Sequence, residues 1–118
     1  MPAPQLSVSV RLRLPLRAMD MREMQKAVYQ NKVDHGFNVT DVNYEFCLLY
    51  GEVGEAYQAW LKSKDDLGEE LADVAIYLMG LSEILGVDLK GEIEKKMEKN
   101  RRRRYETING VPIRTEEG

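Results

Sequence analysis

The chain has 118 residues, 43% of them hydrophobic and 31% charged, with a formal net charge of −3. That is the size of one domain with one core; its single cysteine, Cys47, excludes an intrachain disulfide, and no run approaches the ~18–20 apolar residues of a membrane-spanning helix. Residues 1–18 hold Arg11, Arg13 and Arg17 and no acid, so the −3 of the whole less this +3 leaves −6 on the remainder, a balance that does not suit a general nucleic-acid binder.

Taken in chain order, Ser7-Val8-Ser9-Val10-Arg11-Leu12-Arg13-Leu14-Pro15-Leu16 alternates with period two and ends at a proline. This reads as a strand, a loosely attached arm, or a leader before a start near Met19 or Met21. Its apolar residues do not form the continuous run of a secretory signal, so the cytoplasm is the expected compartment. A first helix is predicted over residues 20–34, capped by Asp20, with Met21, Met24 and Val28 on one stripe and Gly36 and Asn38 ending it. Thr40 or Asp41 caps a second, whose stripe Val42, Phe46, Leu49, Val53, Ala56 and Trp60 keeps a 4-3-4-3-4 spacing. Cys47, inside Phe46-Cys47-Leu48-Leu49, reads as a buried thiol. After the polar connection Lys64-Asp65-Asp66, a third helix runs from about Leu67 to Leu85 and is apolar nearly all round at its middle. Such a helix belongs at the centre of a bundle or in a subunit interface. Gly86 stops it. Asp88 caps a fourth helix with Leu89, Ile93 and Met97 inward. Asn109-Gly110-Val111-Pro112 reads as a turn followed by a loose end. The expected fold is all-α: a four-helix bundle over residues 19–105, between an arm (1–18) and a tail (106–118), oligomerising through its helices.

The candidate chemistry lies in two acidic pairs, Glu52 with Glu55 and Glu70 with Asp73. Each is spaced i, i+3 and therefore lies on one helical face. The second pair opens the almost wholly apolar run Val74–Leu81, where carboxylates are costly without a cation. Two unit charges ~4 Å apart repel by about 4 kcal/mol at an effective dielectric of ~20. All-oxygen donors select Mg²⁺ or Mn²⁺ over zinc or copper. A di-iron bundle would need Glu-x-x-His pairs, and the sole histidine, His35, precedes the second helix. The pattern alone equally fits acids facing solvent. Lys96, Asn100, Arg103 and Arg104 supply a basic counterpart, read either as phosphate ligands or as cations complementing a helix C-terminus.

Leu49-Tyr50-Gly51-Glu52-Val53-Gly54-Glu55, then Glu69-Glu70-Leu71-Ala72-Asp73-Val74-Ala75-Ile76-Tyr77-Leu78, then Gly86-Val87-Asp88-Leu89, then Lys96-Met97-Glu98-Lys99-Asn100 and Arg104-Tyr105 together resemble the MazG-like all-α nucleoside triphosphate pyrophosphohydrolases. The likeness covers roughly residues 20–105 and is nearest to the compact branch that includes deoxycytidine triphosphate pyrophosphatase. It implies Mg²⁺ held by Glu52, Glu55, Glu70 and Asp73, with Glu52 or Glu55 also orienting or deprotonating the attacking water. It implies a nucleoside triphosphate as substrate, met by Tyr77, Lys96, Asn100, Arg103 and Arg104, and a homodimer or homotetramer whose neighbouring subunits complete the base pocket. Trp60 is a candidate base platform or a core anchor. Departures exist: many relatives carry a glutamate at the position of Gly51, and they have one fewer residue between the asparagine and the Arg-Tyr. The other readings are a phosphoribosyl-ATP pyrophosphohydrolase, a non-catalytic helical partner with a vestigial site, and nucleic-acid binding through Arg101–Arg104. A vestigial site would have lost a ligand, and all four acids are present.

Overall fold

The computed structural model describes residues 19–116, and the alternating segment 7–16 lies outside them. Four helices follow one another: α1 (Met21–Asp34), α2 (Val42–Leu61), α3 (Leu67–Ile84) and α4 (Leu89–Arg102). A hairpin of β1 (Arg104–Ile108) and β2 (Val111–Glu116) completes the described chain.

Three of the four helix starts are set by aspartates. Asp20 accepts the Glu23 N–H at 2.8 Å while Glu23 accepts the Asp20 N–H, a reciprocal capping box. Asp41 caps α2 through the Tyr44 N–H, and Asp88 caps α4 through the Gly91 N–H. The ends of α1, α2 and α3 follow one pattern. Phe37, Lys64 and Val87 each return an N–H to the carbonyl five residues back, on Lys32, Ala59 and Ser82. The residue before each of them is left-handed: Gly36 and Gly86 (both φ +70°) and Ser63 (φ 54°). Serine lacks glycine's freedom there. Ser63→Gly is therefore expected to raise stability by about 1 kcal/mol, checked as a higher melting temperature at unchanged fold.

α3 is the central element, packed on α2 along one side and α1 along another; α4 leans on α1 alone to any extent. Arg22 clasps Asp88 with two bonds of 2.8 and 3.1 Å and holds its carboxyl below the usual carboxylate range. Gln25 is buried and donates to Glu83 Oε1 (3.0 Å) and to the Val87 carbonyl (2.7 Å). Its own Oε1 accepts the Leu89 N–H. One amide thus satisfies the corner between α3 and α4. No helix of the described residues is long and apolar enough to cross a membrane.

Several expectations are corrected. The packed face of α2 is Glu45, Leu49, Glu52, Ala56 and Ala59, one position round from the apolar stripe on three of its turns. Ala56 and Ala59 let α3 approach closely, and Glu45 finds a cation in Lys32, so the helix turns Glu45 and Glu52 inward while Glu55 stays exposed. Phe46, Val53 and Trp60 accordingly face outward, and with Tyr50 and Tyr57 they form an exposed aromatic-rich stripe. Cys47 is exposed, not buried. Met97 is 65% exposed, because α4 leaves the bundle after its first turns. The fold is mostly helical, as expected: four helices, with a small two-stranded sheet added at the end of the described chain. The segment expected to be a loose end after the Asn109-Gly110 turn is instead the second strand of a β-hairpin. Asn109 (φ 51°) and Gly110 (φ 80°) make the two-residue turn with both central φ positive that suits twisted strands.

The chain is extended. Its radius of gyration is 18.5 Å, against ~13 Å for a compact domain of this length, and it measures 67 × 34 × 30 Å. Among the described residues, the buried hydrophobic side chains are Ala56, Ala59 and Leu81 only.

Candidate functional site

The loop at residues 62–66 is short, so α2 and α3 run antiparallel and bring their acidic turns side by side. Glu52 and Glu55 come from α2, Glu70 and Asp73 from α3. Glu52 feels the other three, and Glu70 feels Glu55 and Asp73. Glu52 is pushed up to about 7, first by desolvation, then by a hydrogen bond with Glu55 and by the charges of Glu55, Asp73 and Glu70. Glu70 is raised by desolvation and by Glu55, Asp66 and Asp73, with Lys64 opposing. Tyr77, one turn beyond Asp73, has its phenol raised by burial and by the charges of Glu52, Glu45 and Asp73. The two predicted pairs therefore converge, with Tyr77 at their edge.

A cleft of about 430 Å³ opens at one end of this cluster, lined by Gly51, Gly54, Glu55, Tyr57, Gln58, Lys64 and Glu70. Lys64, expected from the sequence only as part of a polar connection, lines this cleft and acts on Glu70. The left-handed turn at Ser63 brings it back over the cluster, and no local signal reveals that. On the far side of α3, Tyr77 also borders an apolar groove of about 690 Å³ between α1 and α3, which includes Met24, Val28, Phe37 and Ile76.

Among the described residues, no three His, Cys, Asp or Glu side chains are arranged to close round a metal ion. The donor chemistry nevertheless fits a hard divalent cation. The set is all oxygen, partly desolvated, and so short of positive charge that Glu52 retains a proton to near neutrality.

Lys96 and Asn100 lie on α4, which has no extensive packing with α2 or α3. Arg103 donates to Asn100 Oδ1 at 2.6 Å, Arg104 faces Glu116 at 3.6 Å, and Arg101 and Arg102 both pair with Glu98. The arginine run is thus tied into its own arm. Trp60 is 61% exposed beside Tyr57, with ring centroids 6.1 Å apart, so it is no core anchor. His35 stacks on Phe37 and contacts the Asn31 carbonyl at the end of α1, away from the four acids in sequence and element.

The MazG-like family model matches residues 47–111, from within α2 to the start of β2. The chain belongs to the MazG-like family. Membership suggests a function of the nucleotide-pyrophosphohydrolase type, and the matched span contains all four acids, Tyr77 and the basic arm. No curated protein and no solved structure matches the chain.

Proposed function

We propose that the protein is a Mg²⁺-dependent nucleoside triphosphate pyrophosphohydrolase that converts an NTP or dNTP and water to the monophosphate and pyrophosphate, in nucleotide-pool house-cleaning in the cytoplasm. The observation that carries the reading is the mutually coupled cluster of Glu52, Glu55, Glu70 and Asp73, poor in positive charge and desolvated enough to hold Glu52 protonated to about 7. These four residues would hold Mg²⁺, or Mn²⁺ in its place. The bound ion supplies charge that neutralises the triphosphate and makes a water more acidic. Glu52 or Glu55 orients the water that attacks the α-phosphorus and takes its proton, while the bond to the pyrophosphate oxygen breaks. Tyr77 meets the substrate at the edge of the cluster. Lys64, from the cleft, is placed to meet a phosphate oxygen.

Lys96, Asn100, Arg103 and Arg104 serve phosphate or sugar in this reading, and a second copy of the chain completes the base pocket. The extended shape and the exposed stripe of Phe46, Tyr50, Val53, Tyr57 and Trp60 support self-association into a homodimer or homotetramer. Trp60 on that stripe is available as a base platform. Light scattering is expected to give a mass two or four times that of the chain; a monomer at micromolar concentration would remove the shared site.

The deciding experiment is product analysis with Mg²⁺ and a panel of canonical and modified triphosphates. Monophosphate plus pyrophosphate from a subset supports the reading and names the base. Turnover of phosphoribosyl-ATP alone, or of nothing while metal still binds, overturns it in favour of the related hydrolase or of a non-catalytic role.

A further inference from the structure

Lys32 lies on α1 with its side chain 9% exposed, and its Nζ stands 2.8 Å from Oε1 of Glu45 on α2, whose side chain is 1% exposed. The contact is ionic, without hydrogen-bond alignment at Oε1, while Oε2 accepts from Asn38 Nδ2 at 2.9 Å. The stem of Lys32 reaches this position by crossing α3 at Gly80. A Cβ there would stand 3.2 Å from Lys32 Cδ and 3.3 Å from Val28 Cγ1, so glycine clears the path. The ammonium ends 5.2 Å from the centroid of the Tyr77 ring. Tyr77 in turn feels Glu52 and Asp73. One cation therefore touches the ring that borders the acidic cluster, and Glu45 and Asn38 fix that cation from behind.

We propose that Lys32, held by Glu45, is a positioning residue that fixes the Tyr77 ring at the edge of the four-carboxylate cluster. A cation over a ring face favours one ring placement. A buried ion pair is a poor source of stability when apolar residues of similar volume could replace it, so a placement role accounts for its retention better than stability does. This rests on the reading of Tyr77 as a substrate contact.

The test uses the full chain with both charges removed, Lys32→Met with Glu45→Leu, so that neither partner is left buried alone. Melting temperature, kcat, KM for the triphosphate and the Tyr77 aromatic ¹H–¹³C resonance, assigned with Tyr77→Phe, are measured together. The expected result is a melting temperature close to the parent's, a KM raised about ten-fold with a smaller change in kcat, and a displaced or averaged Tyr77 resonance. A variant that keeps both the parent KM and the parent resonance overturns the proposal, because a purely structural pair would be replaced without consequence. If the parent protein turns over no triphosphate, the functional reading fails by itself and the Tyr77 resonance alone decides. Should the double variant not fold, Lys32→Arg and Lys32→Gln replace it. Arginine is expected to keep the resonance near the parent's and glutamine to shift it; equal spectra from the two overturn the proposal.

Discussion

Glu52→Gln and Asp73→Asn are each expected to lower Mg²⁺-dependent turnover by about a thousandfold while the protein stays folded. Each removes a charged oxygen from a set whose proposed task is to hold a divalent ion, and Glu52→Gln also removes a candidate base. The same substitution carries a signature in the metal-free protein. Glu52 has an ordinary value of 4.5 and sits at about 7 when folded. The folded state therefore holds this proton more tightly than the unfolded state. That contribution to stability is complete below pH ~4.5, falls as pH rises, and is gone once the folded group ionises near pH 7. Allowing for solvent screening of a partly exposed carboxyl, it is about 1 kcal/mol. In chelator, the parent protein should thus melt several degrees lower at pH 8 than at pH 5.5. Glu52→Gln should flatten that slope and be the more stable of the two at pH 8. Full activity in either variant would sink the site assignment, and an unchanged pH slope in Glu52→Gln would show that Glu52 is not the group held protonated.

The acidic cluster was legible in the sequence because its geometry is local. Residues three apart share a helical face whatever surrounds them, and a short loop makes consecutive helices antiparallel. Helix limits were legible for the same reason: Asp20, Asp41 and Asp88 cap through the next turn, and Gly36 and Gly86 end helices by their own backbone freedom. The packed face of α2 was not legible. Hydrophobicity selects Phe46, Val53 and Trp60, but the face is set by Glu45, whose partner Lys32 is thirteen residues away on another helix. A periodicity argument has no means of knowing that an acid will be taken inward by a distant cation. The hairpin was missed although Asn109-Gly110 signals one, since Arg104-Tyr105-Glu106-Thr107-Ile108 lacks a clear alternation of apolar residues. Lys64 and the basic arm share one difficulty. Where they act depends on how a turn or a helix leaves the bundle, which no spacing encodes.

Lys32→Met alone is expected to be among the most destabilising single changes in the helical body, in contrast to the double substitution with Glu45→Leu. Glu45 is the largest fully buried side chain among the described residues, and Lys32 is the cation beside it. Removing the ammonium leaves a carboxylate enclosed by α1, α2 and α3 with Asn38 as its remaining polar contact. Breaking one partner of a buried pair costs about 3–5 kcal/mol, a large share of the 5–15 kcal/mol that keeps a domain folded. For a helical body of this length, that corresponds to a fall of roughly 15–30 °C in melting temperature. Replacing both partners with apolar residues of similar volume removes the desolvation cost with the attraction and should return most of the loss. Thermal melts of the two single variants and the double variant form a closed cycle whose coupling term is expected to be large. Additive single effects would mean that Lys32 and Glu45 do not compensate one another in solution. In that case the inward rotation of α2, and with it the desolvation of Glu52 one heptad further along the same face, would need another cause.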